Sequence, residues 1–274
     1  MGGELRVGCR VEHVMGNLGN FLIKTRRGVF PAAQVVSALP ATLSASIASE
    51  LVAKRLHAYL QRDASSLGGA IIVFLGVPEE QVTGQDFTHH QLLQDYDREL
   101  GNGNNMFISV SAPGDMDSAP AGYRSIMISS HSSLEQWEGL SPQDYQVQKQ
   151  VIGEYLVKLA RRVYPGLAEH APVYEVGTPS TYERFTSRPR GAVGGMQQAL
   201  WNANQYSIPH DIGIPGFWLV GDTTWPGLGT VACLLGSRIV ARHATEWAHR
   251  IQTRQRHFPL FAARGTYHAK THPG

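Results

Sequence analysis

The chain of 274 residues has little of what marks several common protein classes. Its two cysteines, Cys9 and Cys233, lie far apart and form no CxxC pair, which excludes a disulfide framework and a cysteine-rich zinc site. No apolar run approaches the length that spans a bilayer, and no signal-peptide core opens the chain. A net charge of only +2 gives no electrostatic reason to expect nucleic acid as a partner. These absences favour a cytoplasmic protein that is soluble or lies peripherally on a membrane.

Motifs for several kinds of catalysis are also lacking. The sequence has no G-x-S-x-G elbow for a serine nucleophile and no phosphate-binding P-loop. His89 and His90 are neighbours on a predicted strand, so their side chains point to opposite faces and cannot easily share one ligand. We therefore expect no metal site, and no residue stands out as a strong general acid or base.

The chain does contain the patterns of an ordinary globular protein, with 42% hydrophobic and 17% charged residues. Helices are predicted for residues 42–62 and, after a Ser141 cap followed by Pro142, to about residue 164. Alternating apolar residues in the middle of the chain predict antiparallel strands. The predicted strands are residues 5–14, 20–30, 35–37, 70–77, 88–94, 105–111, 123–131 and 173–176.

The most informative stretch is residues 217–233, where an apolar run predicts a short buried strand that ends at Gly221. Asp222 follows at the carboxyl end of this strand, which is where open α/β sheets place their ligands. Gly227 and Gly229 then lead into a helix predicted for residues 228–247. This construction directs the positive end of a helix, with its unpaired N–H groups, at an electron-rich ligand.

The same glycines allow two other interpretations, a dinucleotide-binding fingerprint and a tight packing turn. Gly227-x-Gly229-x-x-Ala232 matches the dinucleotide fingerprint formally, but six residues separate the strand from these glycines, and Glu246, about where an acidic strand-end residue is required, lies inside the predicted helix. The glycines could instead serve only close packing of the helix in a tight turn.

Three segments resemble, in order, those of one enzyme family. They are Val35-Val36-Ser37-Ala38-Leu39-Pro40, then Thr178-Pro179-x-Thr181-x-Glu183-Arg184-Phe185-Thr186 with Arg190-Gly191-x-x-Gly194-Gly195, then Gly221-Asp222-x-Thr224-x-Pro226-Gly227-x-Gly229-Thr230. The last resembles the carboxyl-terminal flavin motif of the phytoene-desaturase-like family of carotenoid desaturases and isomerases, part of the FAD-dependent amine-oxidase-type superfamily. The resemblance runs in family order over residues 2–249 and is closest to carotenoid desaturases that act late in a pathway.

The resemblance implies an FAD-dependent oxidoreductase that acts on C–C bonds of a carotenoid or another polyene, as a desaturase or an isomerase. Asp222 would face the ribityl or pyrophosphate part of FAD, with a turn or helix cap as its alternative role. Val11 would meet the adenine, with plain strand core as the alternative. The cofactor-binding positions implied are Gly221, Asp222, Pro226, Gly227, Gly229, Thr230, Val231 and Val11.

The family's opening βαβ unit, whose glycine-rich turn holds the FAD pyrophosphate, has no counterpart between Met1 and Gly28. We therefore expect a carboxyl-terminal portion of a larger enzyme of mixed α/β (α+β) class, with a hydrophobic polyene substrate and an amino-terminal half or partner chain. Residues 2–40 and 187–249 would belong to the FAD-binding domain, residues 41–186 to an antiparallel-sheet substrate domain, and residues 250–274 to a mobile tail. A non-catalytic isoprenoid- or pigment-binding module and an unstable truncated product remain alternatives.

Overall fold

A computed structural model of the chain describes residues 2–197, 200, 202 and 205–257. The strands are β1 (Val11–Asn17), β2 (Asn20–Thr25), β3 (Gly28–Ala32), β4 (Val35–Ser37), β5 (Gly69–Pro78), β6 (His89–Leu93), β7 (Asn105–Val110), β8 (Tyr123–Ser132), β9 (Val173–Gly177) and β10 (Phe217–Leu219). The helices are α1 (Ala41–Ile47), α2 (Glu50–Asp63), α3 (Pro142–Ala160), α4 (Pro179–Thr186) and α5 (Thr230–His257). This content confirms the predicted mixed α/β class.

The chain divides into two compact units, a first unit of residues 1–61 with 203–274 and a second unit of residues 62–202. These boundaries differ from those predicted at residues 40 and 187. In the first unit, Val52 and Leu56 of α2 are buried with Phe217 of β10, so both helices after residue 40 belong to that core. In the second unit, the Val193 N–H donates to the Gly68 carbonyl at 2.9 Å, which ties the segment after residue 187 to that unit. Which unit serves the cofactor and which the substrate stays a prediction.

The first unit is organised around a short parallel pair, β4 and β10, beside an antiparallel β1-β2-β3 sheet. Phe217, Trp218 and Leu219 of β10 are all buried, as the apolar run predicts. Helix α5 packs against β10 because Val240 is buried together with Trp218 and Val220. Gln34 strengthens this arrangement, since its side chain accepts from the Trp218 indole at 2.9 Å and donates to the Ala244 carbonyl at 3.0 Å. Gln34 thereby links β10 to the middle of α5.

Three predicted elements of the first unit differ in the structure. The helix predicted over residues 42–62 is two helices, because Ala48 is extended and the Ser49 carbonyl starts α2 by accepting the Ala53 N–H at 3.1 Å. The first strand begins at Val11 rather than at residue 5, since Leu5 is 88% exposed and has no core to join. Helix α5 extends to residue 257, so residues 250–257 are helical rather than a tail, and residues 258–274 lie outside the described residues.

The second unit is a five-stranded antiparallel sheet, in the order β6-β7-β8-β5-β9, with α3 packed on one face. Four of its strands, β5 to β8, match the four predicted runs, and in β5 and β8 one side chain in two is buried in the core. Helix α3 starts as predicted, with the Ser141 hydroxyl accepting the Asp144 N–H at 3.1 Å and Pro142 in the first turn. The largest buried side chains of the core that the sheet, α3 and the segment after it form are Tyr164, Ile71, Met106, Ile108, Ile128, Leu156 and Leu167.

Over the described part of the chain, no helix is both long enough and apolar enough to cross a bilayer.

Candidate cofactor site

Seven of the eight predicted cofactor residues fall on one stretch of the first unit, residues 221–231, which is called here the glycine loop and includes the first two residues of α5; the eighth is Val11. The loop leaves the buried end of β10, where the Val220 N–H donates to the Ser37 carbonyl of β4 at 3.0 Å. Gly221 has a φ of +125°, a conformation that other residues adopt only with strain. Thr224 closes the turn, since its N–H and its hydroxyl both donate to the Gly221 carbonyl, at 3.1 and 2.8 Å. The loop is therefore fixed at its start by hydrogen bonds from a buried threonine.

Thr223 and Thr224 hold the glycine loop in place; Thr224 belongs to the predicted flavin motif, whereas Thr223 was not singled out from the sequence. The Thr223 hydroxyl accepts the Ala41 N–H at 3.1 Å and so supplies a side-chain cap to the first helix of the unit. Their signal was present, because threonine favours turns and helix caps, but the Ala41 partner is distant in sequence. Asp222 lies half-buried between Gly221 and these two threonines, and its role toward FAD stays a prediction.

At its far end the glycine loop opens α5. The Gly229 carbonyl accepts the Cys233 N–H at 2.9 Å, so the N–H groups of Thr230, Val231 and Ala232 precede the first bond of the helix. Gly229, Thr230 and Val231 are exposed, and Val231 is exposed by 82%. The positive end of the α5 dipole therefore faces outward at the position that the sequence predicts for an electron-rich ligand.

Val11 is placed apart from the other predicted residues. It is the first residue of β1, pairs with Thr25 of β2, and packs partly buried against the core that Phe217 also enters. This is the environment of a strand residue that helps to form a core. Its predicted contact with adenine stays a prediction.

The second motif, residues 178–195, is folded tightly within the second unit. Thr178 is fully buried, bonds to the Tyr145 hydroxyl, and forms a reciprocal capping box with Thr181 at the start of α4. Arg190 pairs with Glu135 at 2.8 Å and also with Glu138. The pKa of the Glu135 carboxyl is held below its ordinary value, first by a hydrogen bond from its own backbone N–H and then by Arg190. The contacts of this motif within the unit are structural.

The two adjacent histidines of β6 lie on opposite faces of the sheet, as predicted. His90 contacts the buried Tyr164 hydroxyl through Nε2 at 2.9 Å, whereas His89 is exposed and lies 3.4 Å from the Ser109 hydroxyl. Among the residues that the structure describes, no three histidine, cysteine, aspartate or glutamate side chains converge as a metal site requires.

Solved oxidoreductases share this fold. Cyclohexylamine oxidase from Brevibacterium oxydans IH-35A superposes with a TM-score of 0.53 at 14% identity, covering 86% of this chain and 48% of the oxidase. An oxidoreductase from Methanosarcina mazei superposes with a TM-score of 0.52 at 18% identity, covering 86% of this chain and 49% of that protein. The chain thus has the fold of about half of these larger oxidoreductases.

No protein-family model matches the chain. Sequence relatives indicate a narrower class of enzyme than the shared fold does. The chain is 30% identical over 181 residues to the chloroplastic prolycopene isomerase of Arabidopsis thaliana, which covers 65% of this chain and 29% of that protein. It is 34% identical over 166 residues to prolycopene isomerase 2 of an Oncidium hybrid cultivar, covering 60% of this chain and 27% of the relative. These similarities confirm the resemblance to carotenoid desaturases and isomerases that the motifs predicted, over less than a third of the relatives' length.

Proposed function

We propose that this chain forms the flavin-ring side of an FAD site in an oxidoreductase that acts on C–C bonds of a carotenoid or another hydrophobic polyene. The observation that carries the proposal is the glycine loop, which joins a buried parallel strand to an exposed helix amino terminus. The sequence similarity to prolycopene isomerases supports the polyene as substrate. A lipid-soluble substrate of this kind places the enzyme at a membrane surface.

The residues of the glycine loop fit an FAD ring. At Gly229, which has a φ of +111°, a Cβ would point into space with no atom within 4 Å, so the backbone beside α5 is open to a ligand. The N–H groups of Thr230 and Val231 can donate to the electron-rich edge of a flavin ring, and the helix dipole favours negative charge there. The half-buried Asp222 carboxylate can accept from a sugar-like hydroxyl. The loop therefore offers donors to the ring and an acceptor to the ribityl chain.

FAD, when bound, supplies the redox chemistry, and this chain's residues bind and orient it. A conjugated polyene spreads developing charge over many carbons, so position and a dry apolar environment matter more than a strong acid or base. This agrees with the absence of an evident general acid or base from the sequence. We assign no catalytic residue.

Binding can be tested by NMR of the ¹⁵N-labelled chain titrated with FAD. We expect the amide signals of Gly229, Thr230 and Val231 to shift, and Asp222→Ala to weaken binding about tenfold because the carboxylate that accepts from the cofactor is lost. The control is Asp86→Ala, which removes an exposed aspartate of the second unit. Unmoved loop amides in excess FAD would contradict the proposal, as would equal affinities for Asp222→Ala and Asp86→Ala.

The open edge of β4 supports a further partner, an amino-terminal polypeptide that adds a parallel strand. Within the described residues β4 pairs only with β10, and an edge strand presents N–H and C=O groups that can pair with a further strand. Val35 and Ser37 bond toward the β10 side, through Gly216 and Val220, so the backbone groups of Val36 between them face the open edge. Val36 is also 49% exposed. The addition of a strand there would pair these groups and cover this side chain.

This edge can be tested by co-producing the chain with the amino-terminal part of the Arabidopsis relative. We expect the two polypeptides to co-purify and the Val36 amide to exchange hydrogen more slowly in the complex. Val36→Pro should abolish co-purification without breaking a bond to β10, because it removes only the outward N–H. Val36→Thr keeps that N–H and should co-purify. Equal co-purification of Val36→Pro, or a self-dimer that protects Val36, would exclude this partner at β4.

A further inference from the structure

We infer that His210 is a positioning residue for the glycine loop, an inference that rests on the proposed function. His210 was not singled out as a cofactor-site residue, and in the structure it is only 8% exposed. It belongs to residues 208–210, which bond to the last residue of β10 and to Trp225 in the glycine loop. The His210 carbonyl accepts the Leu219 N–H at 2.9 Å, and the Ile208 carbonyl accepts the Trp225 N–H at 3.1 Å.

The imidazole of His210 fixes the end of β10 a second time. Its Nδ1 lies 2.9 Å from the Leu219 carbonyl oxygen. A carbonyl can only accept, so Nδ1 carries a proton and donates it to the Leu219 carbonyl. Within the described part of the chain, this buried Nε2 has no hydrogen-bond partner. A buried ring nitrogen without a partner is unfavourable, so other contacts of the ring must hold it in this place.

The other side of the ring faces α5 at Gly236. A Cβ at Gly236 would lie 3.0 Å from Cε1 of His210, 3.4 Å from its Nε2 and 3.3 Å from the Trp225 carbonyl oxygen. These contacts are tighter than most that a methyl group makes, so a methyl group at Gly236 would press on the imidazole and on the Trp225 carbonyl, and one of them would have to shift. His210 therefore lies between the end of β10 and the second turn of α5 and sets the spacing between them. The glycine loop spans that spacing, so His210 determines where the N–H groups of Thr230 and Val231 lie.

The experiment enlarges Gly236, reduces His210, and then combines the two changes. Two quantities are measured for each variant: its affinity for FAD, and the amide signals of the glycine loop without FAD. Gly236→Ala stabilises an isolated helix but places its Cβ against the ring, and we expect FAD affinity to fall about tenfold. His210→Asn keeps a donor for Leu219 and removes Cε1 and Nε2. The double variant His210→Asn/Gly236→Ala should recover most of the affinity and return the Gly229 and Val231 signals toward their original positions.

Ser237→Ala is the matched control, because Ser237 is the exposed neighbour in α5 and the change also favours helix. It should move neither the affinity nor the amide signals of the loop. If Gly236→Ala binds FAD as the parent chain does, or if the double variant is no better than Gly236→Ala alone, His210 does not position the loop. If the parent chain itself shows no response to FAD, the proposed function fails, while shifts of the loop amides among the His210 and Gly236 variants still decide the role of His210.

Discussion

Gly191→Ala should largely unfold the second unit, because the added methyl group would make the shortest contact of any that an alanine would make at a glycine in the described residues. Gly191 has a φ of +69°, and a Cβ there would lie 1.8 Å from the Pro179 carbonyl oxygen and 2.4 Å from its carbon. Both neighbours are backbone atoms, so the turn after α4 must move away from the start of that helix. The left-handed conformation alone costs alanine ~1–2 kcal/mol, and the clash takes the loss beyond ~4 kcal/mol, comparable with the whole stability of many domains.

Thermal unfolding measures this effect, with Gly84→Ala as the matched control. Gly84 also has a left-handed φ, +81°, but a Cβ there meets no atom within 4 Å. Gly84→Ala should therefore lose only the conformational part, ~1–2 kcal/mol. If the two variants melted at the same temperature, the close approach of Gly191 to Pro179 would not matter for stability.

Local patterns predicted the second unit well because its strands follow a simple rule. In β5, Ile71, Val73, Leu75 and Val77 are buried and the residues between them are not, so a period of two is visible in the sequence. The Ser141 cap and Pro142 likewise predicted the start of α3, since capping depends on neighbours within four residues. The need for glycine at position 191 could not be predicted in this way, because it comes from the close approach of the Pro179 backbone, twelve residues earlier in the chain.

The first unit was harder to predict, because distant parts of the chain decide its structure. A continuous helical pattern runs through residues 42–62, and only the cap formed at Ser49 divides it. Helix α5 continues past Trp247 through polar residues that carry no apolar period, so periodicity could not set its end. The glycine loop itself was predicted from its motif. Thr223 and His210 were missed, because their partners, Ala41 and Gly236, are recognised only once the chain has folded.

Val231→Glu should separate the stability of α5 from its proposed ability to bind a flavin. Val231 is 82% exposed in the first turn, so the new side chain displaces no core. A carboxylate in the first turn of a helix stabilises it by ~0.3–1 kcal/mol, because it offsets the positive end of the dipole. The same carboxylate competes for the unpaired N–H groups and repels an electron-rich ring. We therefore expect unchanged or higher thermal stability together with a fall of at least about tenfold in FAD affinity.

Val231→Gln is the control, because it has the size of glutamate without the charge. Isothermal titration with FAD should place it near the parent chain, whereas Val231→Glu binds weakly, and the difference should shrink at high salt as the charge is screened. Equal affinities for the two variants would mean that FAD does not meet the amino terminus of α5. If Val231→Glu alone keeps or raises the thermal stability while it lowers the FAD affinity, the ligand binds at that helix end. A variant that merely folds less well would lose both stability and affinity.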